Sequence, residues 1–183
     1  MRITILNGDP GSASGFQNYL QAVTRRLMDS GHAVTVLDLV ELDLKGCSGC
    51  FGCWVKTPGQ CVKRDGSERV CRAAIGADLL LLASPLVMGF TTALLKRAAD
   101  QMIQIIHPYF VIEGGEAHHR ARYARYPKFG LLLGAGSDSD AEDIEITTAM
   151  WKRMARNMKS SIVFTTVTDR NPEVVADEIA LVA

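Results

Sequence analysis

Four of the five cysteines fall within fifteen residues, as Cys47, Cys50, Cys53 and Cys61 in a C-x2-C-x2-C-x7-C spacing. Four thiolates so spaced can surround a tetrahedral metal such as zinc, or an iron–sulfur cluster. The same small side chains, interleaved with Gly49 and Gly52, can instead pack a tight loop or act as redox thiols. An odd total of five with four of them clustered, in a chain without an export signal, reads as thiol or metal chemistry, not as a disulfide framework. Cys71 stands apart on a helical stretch and reads as a small buried hydrophobe.

Two further segments have the composition of ligand loops. Asn7-Gly8-Asp9-Pro10-Gly11-Ser12-Ala13-Ser14-Gly15-Phe16 joins an apolar run to a helix start, where unpaired amides and the positive dipole end attract an anion. It carries neither a Gly-Lys-Ser/Thr phosphate loop nor a G-x-G-x-x-G fingerprint. Ser84-Pro85-Leu86-Val87-Met88-Gly89-Phe90-Thr91-Thr92 offers soft side chains and main-chain polar groups suited to a flat ligand with polar edges. A third polar stretch, His118 to Lys128, is basic and aromatic. If helical, it places His118, Arg122 and Arg125 on one face.

Positioning these segments requires a sheet. Short apolar runs at Arg2–Leu6, Ala33–Leu37, Leu79–Ala83, Phe129–Leu133 and Ile162–Val167 alternate with helical periods. The helices carry Phe16 to Leu27, Glu68 to Ile75, Leu94 to Ile106, Ile144 to Met158 and Val175 to Val182, with Ser139 or Asp140 as cap of the fourth. That alternation predicts an α/β three-layer sandwich around a five-stranded parallel sheet of order 2-1-3-4-5, with ligands at the switch between strands 1 and 3. The two ligand loops follow strands 1 and 3. We expect one domain over 1–183, with a Cys-rich loop at 41–64 and a polar excursion at 113–128, partly helical.

The 183 residues carry 20 basic and 20 acidic side chains, which argues against a general nucleic-acid binder. No apolar run approaches the ~20 residues of a membrane span. The strand beginning at Arg2 leaves no room for a signal peptide, so the expectation is a cytoplasmic protein with no membrane partner.

Over about residues 1–135 the two loops resemble those of the NAD(P)H-dependent FMN reductases of the flavodoxin-like superfamily. Gly8-Asp9-Pro10 stands where that family has its Gly-Ser-Pro phosphate loop. Ser84-Pro85-Leu86-Val87-Met88-Gly89 stands in place of its Ser-Pro-x-Tyr-x-Gly flavin loop, and Leu94-Leu95-Lys96-Arg97-Ala98-Ala99-Asp100 looks like the run that follows. The resemblance implies FMN with NAD(P)H as cosubstrate and hydride passing to a small acceptor such as a quinone. It also implies a homodimer or homotetramer. It places phosphate contacts at Ser12, Ser14, Gly15 and Phe16. The ring contacts fall at Pro85, Leu86, Val87, Met88, Gly89 and Phe90, with Gly134, Ala135 and Gly136 contributing; no catalytic side chain is required. The cysteine run is similar to that of iron–sulfur flavoproteins, which implies the alternative of a [4Fe–4S] cluster on Cys47, Cys50, Cys53 and Cys61 exchanging electrons with a ferredoxin. A flavin-free binding or scaffold protein is the remaining alternative.

Two departures carry consequences. Asp9 replaces the family's serine and repels a phosphate dianion unless it turns away. Val87 and Met88 replace an aromatic pair worth roughly 0.5–1.5 kcal/mol of stacking, a face that Phe90 or Trp54 could supply.

Overall fold

The computed structural model describes residues 1–11 and 14–182, without the Ser14 side chain. Five parallel strands form the central sheet: β1 (Arg2–Asn7), β2 (Ala33–Asp38), β3 (Leu79–Val87), β7 (Lys128–Gly134) and β8 (Ile162–Val167), in the order β2-β1-β3-β7-β8. In parallel strands alone this is the expected 2-1-3-4-5. Ile5 lies between Val36 and Leu81, and Leu82 beside Leu131, so strand neighbours meet in register.

Alternate residues of β3 feed two cores, because successive strand side chains point to opposite faces. Leu79, Leu81 and Ala83 pack with Ile3 and Ile5 against Leu20, Val23 and Leu27 of α1 (Ser14–Asp29) and Val175 and Ile179 of α6 (Pro172–Val182). Leu80 and Leu82 pack with Leu131 and Leu133 on the other face. There they meet Val70 and Ala74 of α3 (Ser67–Gly76), Leu95 and Ala98 of α4 (Ala93–Gln101), and Trp151 and Ala155 of α5 (Ala141–Asn157). The flavodoxin-like three-layer arrangement is thus present. The central strands β1, β3 and β7 are buried along most of their length, whereas the edge strands β2 and β8 are half exposed.

Helix α5 starts where anticipated. Asp140 accepts from the Asp143 amide at 2.9 Å and Asp143 accepts from the Asp140 amide at 3.1 Å, a reciprocal cap that satisfies two orphan donors.

Three segments differ from expectation. The Cys-rich segment contains a one-turn helix, α2 (Gly52–Val55). Strand β3 runs on to Val87 and folds back into the short antiparallel β4 (Phe90–Thr91). Helix α4 stops at Gln101, and a 3-10 turn (Met102–Ile105) leads into β5 (Ile106–Glu113), which pairs antiparallel with β6 (Glu116–Ala121). The excursion is therefore a hairpin ending in irregular chain, and the shared helical face of His118, Arg122 and Arg125 does not exist. Gly114 and Gly115 both hold positive φ, the geometry of a two-residue reverse turn that suits strand twist. Tyr109-Phe110-Val111-Ile112 before it favours strand. Among the described residues no helix is long and apolar enough to cross a membrane.

Leu81 is fully buried and reaches across to Gly130, where an added Cβ would lie 3.0 Å from its Cδ1. Leu81→Ala is expected to lower unfolding free energy by about 2–5 kcal/mol. The readout is a lower guanidinium midpoint at unchanged slope; an unmoved midpoint contradicts the packing described.

Candidate functional site

At the C-terminal end of β1, Asn7 is buried and its amide donates to Asp38 at 2.7 Å and to Gln17 at 3.0 Å. Its Oδ1 accepts from the Asp9 amide at 3.0 Å, so one side chain ties β2, α1 and the loop together. Gly8 follows. Its amide donates to the Ala83 carbonyl at 2.8 Å and its carbonyl accepts from Thr92 Oγ1 at 2.6 Å. A Cβ on Gly8 would lie 2.9 Å from the Leu95 Cβ, so the absence of a side chain lets the loops after β1 and β3 touch. Asp9 Oδ1 then accepts from the Gly11 amide at 3.1 Å, closing a small turn at Gly11, whose φ is +87°.

The loop after β3 is built on Ser84, whose Oγ accepts from the Thr92 amide at 3.0 Å and donates to the Pro85 carbonyl at 2.8 Å. Beyond it, Met88 (φ 52°) and Gly89 (φ 78°) make the β3–β4 turn. A left-handed non-glycine residue costs roughly 1–2 kcal/mol, and α5 supplies the restraint. Thr147 Oγ1 donates to the Gly89 carbonyl at 2.9 Å, Trp151 Nε1 donates to Thr91 Oγ1 at 3.3 Å, and the Asp143 carboxylate packs against Gly89 where a Cβ would stand. Val87, Met88 and Phe90 project outward, with Met88 85% exposed. Clustered exposed apolar side chains at a strand end mark a contact surface.

The third segment joins at Gly134, where an added Cβ would lie 2.5 Å from Phe16 Cδ2 and 3.2 Å from Pro85 Cα, so the missing side chain leaves room for both. Phe16, Pro85 and Gly134 therefore meet, and the three segments singled out from sequence form one rim. Gly15, Ala135 and Gly136 are exposed along it. Ser12 lies outside the described residues, as does the Ser14 side chain. The side chains of Phe16 and Leu86 are buried in the core, so those two residues face the rim only through main chain. Residues 7–11, 14–16, 84–91 and 134–140 include no Lys, Arg or His. Within these segments, amides and hydroxyls are the groups available to an anion.

The cysteine segment forms a separate feature. Cys47, Cys50, Cys53 and Cys61 all border one small cavity floored by Gln101 and Ile103. Trp54 Nε1 donates to the carbonyls of Ile103 and Ile106, both at 3.1 Å, and Gln104 Oε1 accepts from the Cys61 amide at 2.7 Å. Trp54 stacks on Phe51 and leans on His119, so it is committed to this loop and not to the β3–β4 turn. Among the described residues no three Cys, His, Asp or Glu side chains converge as metal ligands, and the arrangement does not support the [4Fe–4S] alternative. The thiols differ in acidity. Hydrogen bonds from the Gly52 amide and then from Ser48 hold Cys50 below the usual thiol range, whereas burial, reinforced by Cys61 and Cys47, raises Cys53. Burial pushes Cys71 up to about 12.

The basic stretch is dispersed by the hairpin. His118 is buried with Nδ1 3.0 Å from Asn157 Oδ1 and Nε2 3.1 Å from Glu116, which Arg153 and Arg156 also hold. Arg125 pairs with Asp78. These contacts fasten β6 to α5 and the following chain to the sheet. A cavity of about 520 Å³ lies between the hairpin, α4 and α5, and none of the three rim segments lines it.

Sequence reasoning overlooked the clamp from α5. Its signal was a threonine, Thr147, sitting in the otherwise apolar stripe Ile144–Trp151, where a buried hydroxyl must find an acceptor.

Compared with known proteins, residues 1–137 match the family model described as NADPH-dependent FMN reductase. An iron-sulfur flavoprotein of Archaeoglobus fulgidus is 29% identical over 107 residues, which is 58% of this chain and 48% of that protein. The match thus spans about half the length of that relative. The fold is similar to an FMN-dependent NADH-azoreductase from Bacillus anthracis in complex with FMN, at 13% identity and TM-score 0.70, covering 100% of this chain and 99% of the other. It is also similar to an NAD(P)H:quinone oxidoreductase from Methanothermobacter marburgensis, at 23% identity and TM-score 0.60, covering 97% and 94%.

Two outcomes follow from the geometry. Thr147→Val leaves the buried Gly89 carbonyl without its donor and is expected to cost about 1–3 kcal/mol, seen as a lower thermal midpoint; an unchanged midpoint contradicts the clamp. Because the thiolate is the alkylated species, iodoacetamide at neutral pH is expected to modify Cys50 first. Its rate should rise with pH through a midpoint below that of an ordinary exposed thiol, and Cys71 should react only on unfolding. Peptide mass spectrometry reads the order, and Cys71 reacting ahead of Cys50 contradicts it.

Proposed function

The chain belongs to the NADPH-dependent FMN reductase family, and from that premise we propose that it is an NAD(P)H-dependent flavin oxidoreductase whose rim after β1, β3 and β7 holds FMN. One observation carries the reading: the interlock of Gly8 with Ala83, Thr92 and Leu95 makes a single cradle of two loops distant in sequence. The residues present suit the cofactor. Exposed Val87, Met88 and Phe90 offer an apolar face to the ring, and main-chain groups of the β3–β4 turn can meet its polar edge. Gly15, at the start of α1, has open space around it for the anionic tail.

When bound, FMN supplies the hydride transfer between nicotinamide and acceptor. This chain's residues position and shield. Thr147, Trp151 and Asp143 fix the turn that presents Met88, and Ser84 and Thr92 fix the turn's base. No side-chain acid or base is required. The acceptor we infer is a small electrophile such as a quinone. Five free cysteines suit a reducing, cytoplasmic setting. Exposed Tyr109, Phe110 and Ile112 on the hairpin support a homo-oligomer.

The test is titration of purified chain with FMN. We expect a raised thermal midpoint, quenched flavin fluorescence, NAD(P)H oxidation that depends on FMN and a quinone, and a dimer or tetramer mass in light scattering. Protein that stays colourless with an unmoved midpoint contradicts the reading and favours a flavin-free scaffold. Stoichiometric iron on anaerobic purification would favour the electron-transfer alternative.

A further inference from the structure

The rim makes no use of the cysteine loop, whose thiols are gathered at one place. Cys47, Cys50, Cys53 and Cys61 are all free, and all four border one cavity of about 30 Å³. A space of that size is on the order of one water molecule, so the side chains around it are near neighbours. Burial raises the Cys53 thiol, and the charges of Cys61, Cys47 and Cys50 add to it, which sets Cys53 among the other three. Among the described residues that border the cavity, Lys63 alone is charged, a cation that favours a thiolate. Its Nζ donates to the Gly46 carbonyl at 3.1 Å.

The thiols are not equivalent. Cys47 and Cys50 are exposed, whereas Cys53 and Cys61 are half-buried. Cys53 is also anchored. Its carbonyl accepts from the Gly59 amide at 2.9 Å, and beside it Trp54 is held by the carbonyls of Ile103 and Ile106. Val62 occupies the space where Gly52 lacks a Cβ, so the turn carrying Cys53 is closely packed. Cys50 instead ends a stretch of irregular chain that runs from Asp43 to Phe51. Gly49 at φ 64° and Phe51 at φ 56° flank it. Cys50-Phe51-Gly52-Cys53 thus joins an accessible thiol on adaptable chain to a sheltered thiol on a fixed turn.

Independently of the flavin reading, we propose that Cys50 and Cys53 form a dithiol–disulfide centre that reduces a hydroperoxide, Cys50 attacking and Cys53 resolving. The Cys50 thiolate attacks the outer oxygen of the hydroperoxide and the O–O bond breaks. The departing oxygen takes a proton and leaves as alcohol or water, and Cys50 carries a sulfenic acid. The Cys53 thiolate then attacks the Cys50 sulfur, the S–O bond breaks, and hydroxide leaves as water with the proton that Cys53 gave up. Two thiols are oxidised by two electrons and one hydroperoxide is reduced. Two equivalents of a small thiol reverse the change by exchange and are themselves joined as a disulfide. Such a bond is transient in a reducing setting.

The experiment treats the purified, reduced chain with equimolar hydrogen peroxide at neutral pH, alkylates the remaining thiols and maps linkages by mass spectrometry without reduction. Chymotrypsin cuts after Phe51 and so separates Cys50 from Cys53 unless the two are joined. We expect a loss of two thiols per chain, a Cys50–Cys53 linkage, and recovery of all five thiols with dithiothreitol. Cys53→Ser stops the reaction at the Cys50 sulfenic acid, read as a dimedone adduct, and Cys50→Ser loses no thiol under the same exposure. A linkage that leaves Cys50 or Cys53 free overturns the proposal. So does oxidation of Cys50 without any linkage, or purified chain that holds iron or zinc on these thiols and forms no disulfide. The linkage map of the native chain requires no variant, so it decides the matter even if Cys53→Ser fails to fold.

Discussion

The contact on which the rest depends is the one made by Gly8. Its amide and carbonyl are both taken by the neighbouring strand and helix start, by Ala83 at 2.8 Å and Thr92 at 2.6 Å, and its hydrogen faces the Leu95 Cβ. A side chain at this position would separate the loops after β1 and β3. Without it they share hydrogen bonds, Ser84 and Thr92 interlock beneath them, and Phe16 can seat against Gly134 and Pro85. The parallel sheet brings the two strand ends close, and the glycine makes the two loops one surface.

That surface holds two features that oppose stability locally. Met88 sits in the left-handed region at the tip of a turn, and Asp9 buries a carboxylate oxygen that has no donor among the described residues. Strain of this kind persists where the surroundings over-determine it and tends to gather at functional sites. The surroundings are identifiable: the reciprocal cap at Asp140 and Asp143 fixes the start of α5, and from it Thr147 and Trp151 reach the turn. The described rim segments carry no basic residue, which sets the site apart from phosphate sites built on Lys or Arg. Main-chain amides and hydroxyls are the donors that the described rim segments offer an anion.

Much of this was legible in the residue order. Apolar runs such as Leu79–Ala83 can only be strands buried on both faces, and five of them alternating with helical periods leave few topologies. The loops after β1 and β3 stood out by composition. That the second loop folds back as an antiparallel strand, and that the excursion forms a hairpin, did not. Met88 is a poor predictor of positive φ, and the helical period through Ile105 masked the strand that begins at Ile106. The clamp by Thr147 and Trp151 acts across about sixty residues, a tertiary fact that local pattern reports only as an out-of-place hydroxyl. Likewise the four cysteines were visible as a spacing, while the roles of Gln104 and Trp54 in holding their loop depended on where α4 ends.

Hydrogen–deuterium exchange of the purified chain with and without saturating FMN tests the central claim most directly. If the joined loops are the cradle, added cofactor slows exchange in peptides covering residues 7–16, 84–92 and 134–140 together, and leaves the hairpin at 106–121 and the cysteine loop at 46–63 as they were. Protection confined to the hairpin and the cavity beneath it, or to one of the three rim segments without the others, would show that the loops do not act as one site.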